Sequence, residues 1–191
     1  MTAQSVPTTA PKTLADVAGT YVIDPSHSHV GFVARHAMVT KVRGSFNTVE
    51  GTATVDGANP AASSLSVTID VSSVDTRDKG RDGHLQGADF FDVENYPTIT
   101  FSATDFAVAG DVVTVTGNLT IKDHTRPVSI PLEFQGAAID PFGNSRIGFE
   151  GSVVVNRKDW GLTWNAALET GGLLVSEKVS LEFEISAIKQ A

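Results

Sequence analysis

Ser64-Leu-Ser-Val-Thr-Ile-Asp-Val71 decides the fold. Leu65, Val67, Ile69 and Val71 alternate with Ser64, Ser66, Thr68 and Asp70. A period of two puts successive side chains on opposite faces of a sheet, one dry and one wet. The same alternation returns in Val128, Ile130, Leu132 and Phe134, and in Ile147, Phe149, Gly151, Val153 and Val155. Near the C-terminus Val179, Leu181, Phe183 and Ile185 share one face, opposite Glu182 and Glu184. Eight such half-dry stretches predict an all-β chain, an eight-stranded antiparallel barrel that leaves no edge unpaired and has room for one small ligand. Periodicity alone leaves a two-sheet sandwich of the same strands open.

Punctuation residues divide these stretches. Strands are expected over about 20–35, broken by Pro25, and over 41–56, 64–71, 98–106, 112–121, 127–137, 145–157 and 173–188. Asp56-Gly-Ala-Asn-Pro60, Ala109-Gly-Asp111, the stretch 122–126 and Asp140-Pro-Phe-Gly-Asn144 carry turn chemistry. Two long segments, 75–96 and 158–172, lack alternation. One or two short helical segments are expected in these loops, chiefly over 77–86, where Gly80 and Gly83 weaken the helix. Residues 1–18, rich in Thr, Ala and Pro, read as a flexible tail before one domain spanning 19–191.

The chain has 191 residues, 41% hydrophobic and 19% charged, with a net charge of -8. That composition suits one soluble domain. It offers no basic patch for nucleic acid. Absence of cysteine excludes disulfides and thiolate chemistry. No run of about 18 apolar residues could span a bilayer. The first nineteen residues lack the basic start and apolar run of a secretory signal, which predicts a cytoplasmic location.

Several strand glycines share a face with large apolar residues. Gly44 lies with Val42 and Phe46, Gly117 with Val115 and Leu119, Gly136 with Phe134, and Gly151 with Phe149 and Val153. Such glycines either leave volume for a ligand or mark bends and bulges. Four of them beside bulky neighbours favour a cavity.

Chemistry-bearing residues are few. His27 and His29 share a strand face and form a candidate metal pair, whereas His36 has the opposite parity. The alternatives are hydrogen bonding at the barrel rim and contact with a ligand head group. No Gly-x-Ser-x-Gly elbow, phosphate-cradling glycine loop or His-Glu-x-x-His occurs, so no catalytic constellation is identifiable.

Six stretches in order resemble the YceI-like family, a lipocalin-like group of polyisoprenoid-binding proteins. They are YVIDPSHSHVGFVARH (21–36), VRGSF (42–46), GHLQGADFFDVENYPTITF (83–101), GNLTIKDHTRPV (117–128), VVVNRKDWG (153–161) and SEKVSLEFEI (176–185). The chain differs in having Tyr21 where the family usually opens with Trp, and Asp-His-Thr-Arg at 123–126 where it has Gly-Val-Thr-Lys. The resemblance implies a lipocalin-like barrel holding a long isoprenoid or similar lipid, with no established catalytic activity and no cofactor beyond that ligand. Many relatives are exported, and a homodimer is compatible with the family.

With the residue parity, it predicts a cavity lined by Phe32, Phe46, Phe90, Phe91, Phe101, Leu119, Phe134, Phe149, Trp160, Trp164 and Phe183, and a head group met by His27, His36 and Arg157. Two other readings stay open: a metal-dependent enzyme using His27, His29 and His36, and a ligand-free interaction module.

Overall fold

A computed structural model describes residues 13–191. Its strands are β1 (Gly19–Ile23), β2 (His29–His36), β3 (Thr40–Phe46), β4 (Val49–Val55), β5 (Ser64–Asp70), β6 (Val74–Asp75), β7 (Thr98–Ala109), β8 (Val112–Ile121), β9 (His124–Ile139), β10 (Ser145–Asn156) and β11 (Lys178–Lys189). They join in the order β1-β4-β5-β7-β8-β9-β10-β11-β2-β3-β6, and β1 also pairs with β11. Every pairing between them is antiparallel.

This is a closed eight-stranded barrel, because three strands are interrupted rather than additional. The first is β1 and β2, broken where Asp24 caps a 3-10 turn at Pro25–His27. β11 pairs with both pieces, β1 through residues 187–189 and β2 through 180–184. The second is β3 and β4, parted at Asn47 and Thr48. The third is β5 and β6, parted by a 3-10 turn at Val71–Ser73 that the Asp70 carboxylate caps. The expected strands 20–35 and 41–56 are therefore present, each with a kink.

β9 tolerates Pro127 and Pro131 for a topological reason. Along 124–133 it pairs with β8, but its pairing with β10 begins only at Leu132. A proline there lacks no ladder partner on the β10 side. Gly136, at φ 122°, sits beside a bulge at which Phe149 pairs with Phe134 and Gly148 with Gly136.

Two boundaries differ from the sequence reading. The last strand starts at Lys178 rather than Leu173, because Asn165 satisfies the backbone of Val175 from both sides: its Nδ2 donates to the carbonyl at 2.7 Å and its Oδ1 accepts from the N–H at 3.0 Å. Of the tail expected over 1–18, residues 1–12 lie outside the described residues. Residues 14–16 form a 3-10 turn, Val17 is buried, and the Tyr21 hydroxyl donates to the Val17 carbonyl at 2.9 Å. The barrel's packing thus begins before residue 19. The helix expected over 77–86 is α1 (Lys79–Gln86), with Asp78 capping Arg81 N.

Candidate functional site: an apolar cavity along the barrel

Inward-facing residues of every barrel strand enclose a cavity of about 430 Å³. That lies within the range of small-molecule sites, about 300–1,000 Å³. Its walls carry Val30, Phe32, Val67, Phe101, Leu119 and Phe183, among others. Asp56 and Arg157 are the charged residues on the lining, at opposite ends of the barrel.

One end is sealed by the two long loops. Phe90, Trp160, Leu162 and Arg157 are all buried there. Trp160 belongs to a 3-10 turn (Arg157–Trp160), and its indole N–H donates to the Leu119 carbonyl at 2.9 Å. The loops meet through aromatic edges: His84 of α1 lies 4.7 Å from Trp164 and 5.0 Å from Phe90, centroid to centroid. Phe91 continues inward to Phe46 at 5.8 Å, and Phe46 to Phe32 at 5.8 Å.

At the other end the lining becomes exposed and partly polar. Ala15, Thr54 and Ser64 border the cavity there and are open to solvent. This mouth lies between the N-terminal turn and the β4–β5 loop. Beside it Val17, Tyr21, Phe134, Ile147 and Ala187 form a packed floor.

Arg157 is 5% exposed, and burial pushes its guanidinium pKa below the usual value, with Glu177 acting in the opposite sense. Its Nε donates to Ser176 O at 2.9 Å, Nη1 to Leu162 O at 2.5 Å and Nη2 to Val175 O at 3.5 Å. Those three carbonyls belong to one loop, which the side chain ties over the sealed end.

Of the residues expected to line the cavity, Phe32, Phe46, Phe90, Phe91, Phe101, Leu119, Phe149, Trp160 and Phe183 do so. Phe134 and Trp164 do not. Phe134 keeps the inward parity of Ile130 and Leu132 but lies further along β9, in the packed floor, 5.4 Å from Phe149. Trp164 stacks on the outer side of the sealed end against His84 and Phe90.

The expected head-group histidines are also elsewhere. His27 sits on the turn at Pro25–His27, its side chain 66% exposed and its Nδ1 2.7 Å from Asp24. The kink at Pro25 carries it off the inner face. His36 ends β2, exposed, in a bridge with Val175. Arg157 reaches the wall, with its guanidinium bonded to main-chain carbonyls. Among the described residues no three His, Cys, Asp or Glu side chains gather to hold a metal ion. No helix of the described residues is long and apolar enough to cross a membrane.

Three of the four strand glycines leave no open space at the glycine itself, whereas a Cβ on Gly136 would meet nothing within 4 Å. A Cβ on Gly44 would overlap the Phe32 ring, and one on Gly117 would fall 2.5 Å from Phe101 Cζ. One on Gly151 would overlap the Pro131 carbonyl. The lining also includes Leu14, Leu85 and Leu162, which lie in segments without alternation and so give no periodic signal. Leu65 and Val67 did give one.

A closed antiparallel barrel, sealed at one end and hollow along an apolar axis, defines a lipocalin-like binding protein. The chain belongs to the YceI-like family, whose domain model matches residues 21–187. It is 37% identical over 176 residues to a UPF0312 protein of Pseudomonas aeruginosa, covering 91% of this chain and 89% of that one. It is 35% identical over 176 residues to Protein YceI of Salmonella newport, with the same coverages of 91% and 89%. Among solved structures, Burkholderia cenocepacia BcnA superposes with a TM-score of 0.75 at 28% identity, over 86% of this chain and 98% of that one. A polyisoprenoid binding domain from Saccharophagus degradans, implicated in plant cell wall breakdown, shares the fold with a TM-score of 0.70 at 19% identity, over 89% and 98%.

Proposed function

We propose that the protein carries one long apolar lipid inside its barrel, for transport, storage or sensing. The favoured ligand is a polyisoprenoid, and a fatty acid or fatty amide of similar shape is the nearest alternative. One observation carries this reading: an almost wholly apolar cavity runs from the mouth at Ala15 and Ser64 to the seal at Trp160. Burial of a hydrocarbon chain there is worth ~25 cal/mol per Å² removed from water, before ordering costs. Family membership supports it, and the Saccharophagus domain shows a barrel of this shape in a protein named for polyisoprenoid binding.

The polar end of the ligand lies at the mouth, where Thr54, Ser64 and water can solvate it. Burying it at the sealed end would strand polar atoms against aromatic rings. Arg157 acts as a strut for the seal rather than as the head-group contact.

Organic extraction of untreated purified protein, followed by mass spectrometry, tests the proposal. An apolar lipid near one per chain is the expected result. Recovery of no lipid, together with no binding of added prenols or fatty amides, would overturn it.

A further inference from the structure

Gly44 on β3 pairs directly with Phe32 on β2, so the two positions share a sheet face, and Phe32 lines the cavity. The Phe32 ring lies flat over the place where a Gly44 side chain would be. The nearest atoms to a Cβ built there are all ring atoms of Phe32, with Cε1 at 2.7 Å and Cε2 at 2.9 Å besides Cζ. No backbone atom is among them. The space is thus reserved for a ring, the arrangement in which a sheet glycine is covered by a cross-strand aromatic.

The consequence is a matter of bore. A phenylalanine pointing from an inner wall normally stands roughly perpendicular to the sheet and projects into the lumen. Over Gly44 the ring instead lies against the wall, and the lumen keeps that width. The position is next to the aromatic chain Phe32–Phe46–Phe91 that leads to the seal. It therefore controls how far a ligand chain can reach.

We infer that the Gly44–Phe32 pair is a specificity-determining element, setting the bore of the barrel near its sealed end and so the width of chain accepted there. This rests on the lipid-carrier reading above. A methyl-branched isoprenoid needs more width than an unbranched chain, so it depends more on the ring staying flat. Gly117 is a less clean case: a Cβ there would meet the Ser102 carbonyl at 2.6 Å as well as Phe101, so its glycine also serves the backbone.

Gly44→Ala should push Phe32 off the wall and into the lumen without moving backbone. Each methylene-sized group expelled from apolar contact weakens binding about fourfold, so loss of two gives roughly tenfold to twentyfold. The experiment is titration of delipidated protein with geranylgeraniol and with the unbranched C20 alcohol, in the wild type and four variants. Gly44→Ala should weaken geranylgeraniol by about tenfold or more and the unbranched alcohol by less. The double variant Gly44→Ala/Phe32→Ala should recover geranylgeraniol binding, because the intruding ring is gone. Phe32→Trp, which keeps the glycine, should weaken the branched alcohol selectively by overfilling the same space. Gly148→Ala is the control: it lies on the outer face, where a Cβ meets nothing closer than Gln135 Cβ at 3.5 Å.

Wild-type-like binding by Gly44→Ala overturns the inference. So does a loss that Phe32→Ala fails to restore, since that loss would come from the backbone. Should Gly44→Ala fail to fold, Phe32→Trp decides: unchanged branched-chain binding overturns the inference. Failure of the wild type to bind either alcohol overturns the carrier reading itself, a separate result.

Discussion

Phe134→Ala distinguishes packed floor from hollow lumen. Phe134 is 8% exposed, sits among Val17, Tyr21, Ile147 and Ala187, and tilts at 51° against Phe149. Removing the ring leaves a cavity in packed surroundings, at a cost of about 3–5 kcal/mol. Loss of the edge contact with Phe149 adds roughly 0.5–1.5 kcal/mol, which sets the expectation toward the upper half of that range. For a chain of this size each kcal/mol lowers Tm by about 2–4 °C, so about 4 kcal/mol is a fall of roughly 8–16 °C.

Urea unfolding of delipidated protein is the assay, with an unchanged m-value showing that the folded and unfolded states are otherwise comparable. Phe183→Ala is the partner measurement. Phe183 is only partly buried and borders the cavity, so its ring has neighbours on fewer sides. It should cost about half as much and change lipid selectivity. Phe134→Ala should leave selectivity alone. A Phe134→Ala loss below about 1.5 kcal/mol, combined with altered lipid preference, would place that ring in the lumen and refute the division of the interior.

Two further expectations follow from charged groups. Arg157→Leu removes three donors from the carbonyls of Leu162, Val175 and Ser176 and should cost about 3 kcal/mol. Amide exchange over 162–176 should accelerate first, and wild-type protection in that loop would show that the carbonyls do not need the strut. Arg146 bridges Asp24 at 2.6 Å and Asp140 at 2.7 Å; hydrogen bonds from Ser26 and then Arg146 hold the Asp24 carboxyl, and from Asn144 and then Arg146 the Asp140 carboxyl, well below the usual range. A depressed carboxylate pKa stabilises the fold above the unfolded value, about 3.9, and that contribution disappears as pH falls through the folded value. Arg146→Met should therefore lower Tm by a constant margin from pH 7 to about 5, with the margin shrinking below about pH 4. A margin that widens in acid would contradict the assignment.

Alternation carried the barrel because each strand has one dry face and turn residues at its ends. The kinks were less legible. Pro25 announced the break between β1 and β2, since proline cannot donate to a ladder. Asn47 and Thr48 announced nothing, because their break depends on Ser73, whose carbonyl accepts from Asn47 N and whose hydroxyl accepts from Thr48 N. Leu173, Leu174 and Val175 look like strand, yet they form only isolated bridges: Leu174 N donates to Ala166 O, its carbonyl accepts from Ala37 N, and Asn165 and Arg157 bond Val175. Parity places Phe32, Phe46, Phe101, Phe149 and Phe183 on the inner face, where they border the cavity. Phe134 has the parity of Leu132, and what parity does not register is position along the axis: Phe134 lies where Val17, Tyr21, Ile147 and Ala187 fill the interior. His27 falls on the 3-10 turn at the kink, and His36 is the last residue of β2, beyond the lining residues Phe32 and Ala34.

The glycines show how a correct observation can have a different cause. Their clustering on dry faces accompanies the cavity, though at Gly44, Gly117 and Gly151 the space at the glycine itself is taken by neighbouring atoms. At Gly44 the missing side chain is replaced by a ring from the next strand, and the open volume appears where that ring would otherwise stand. A hollow barrel forfeits dispersion contacts along its axis. Here those contacts are concentrated in the floor around Tyr21 and in the seal around Trp160, while strand ladders hold the wall between them. Stability and vacancy are thus assigned to different parts of one interior. Rings laid flat on the wall add apolar surface to the lumen without narrowing it, which is the surface an apolar chain would cover.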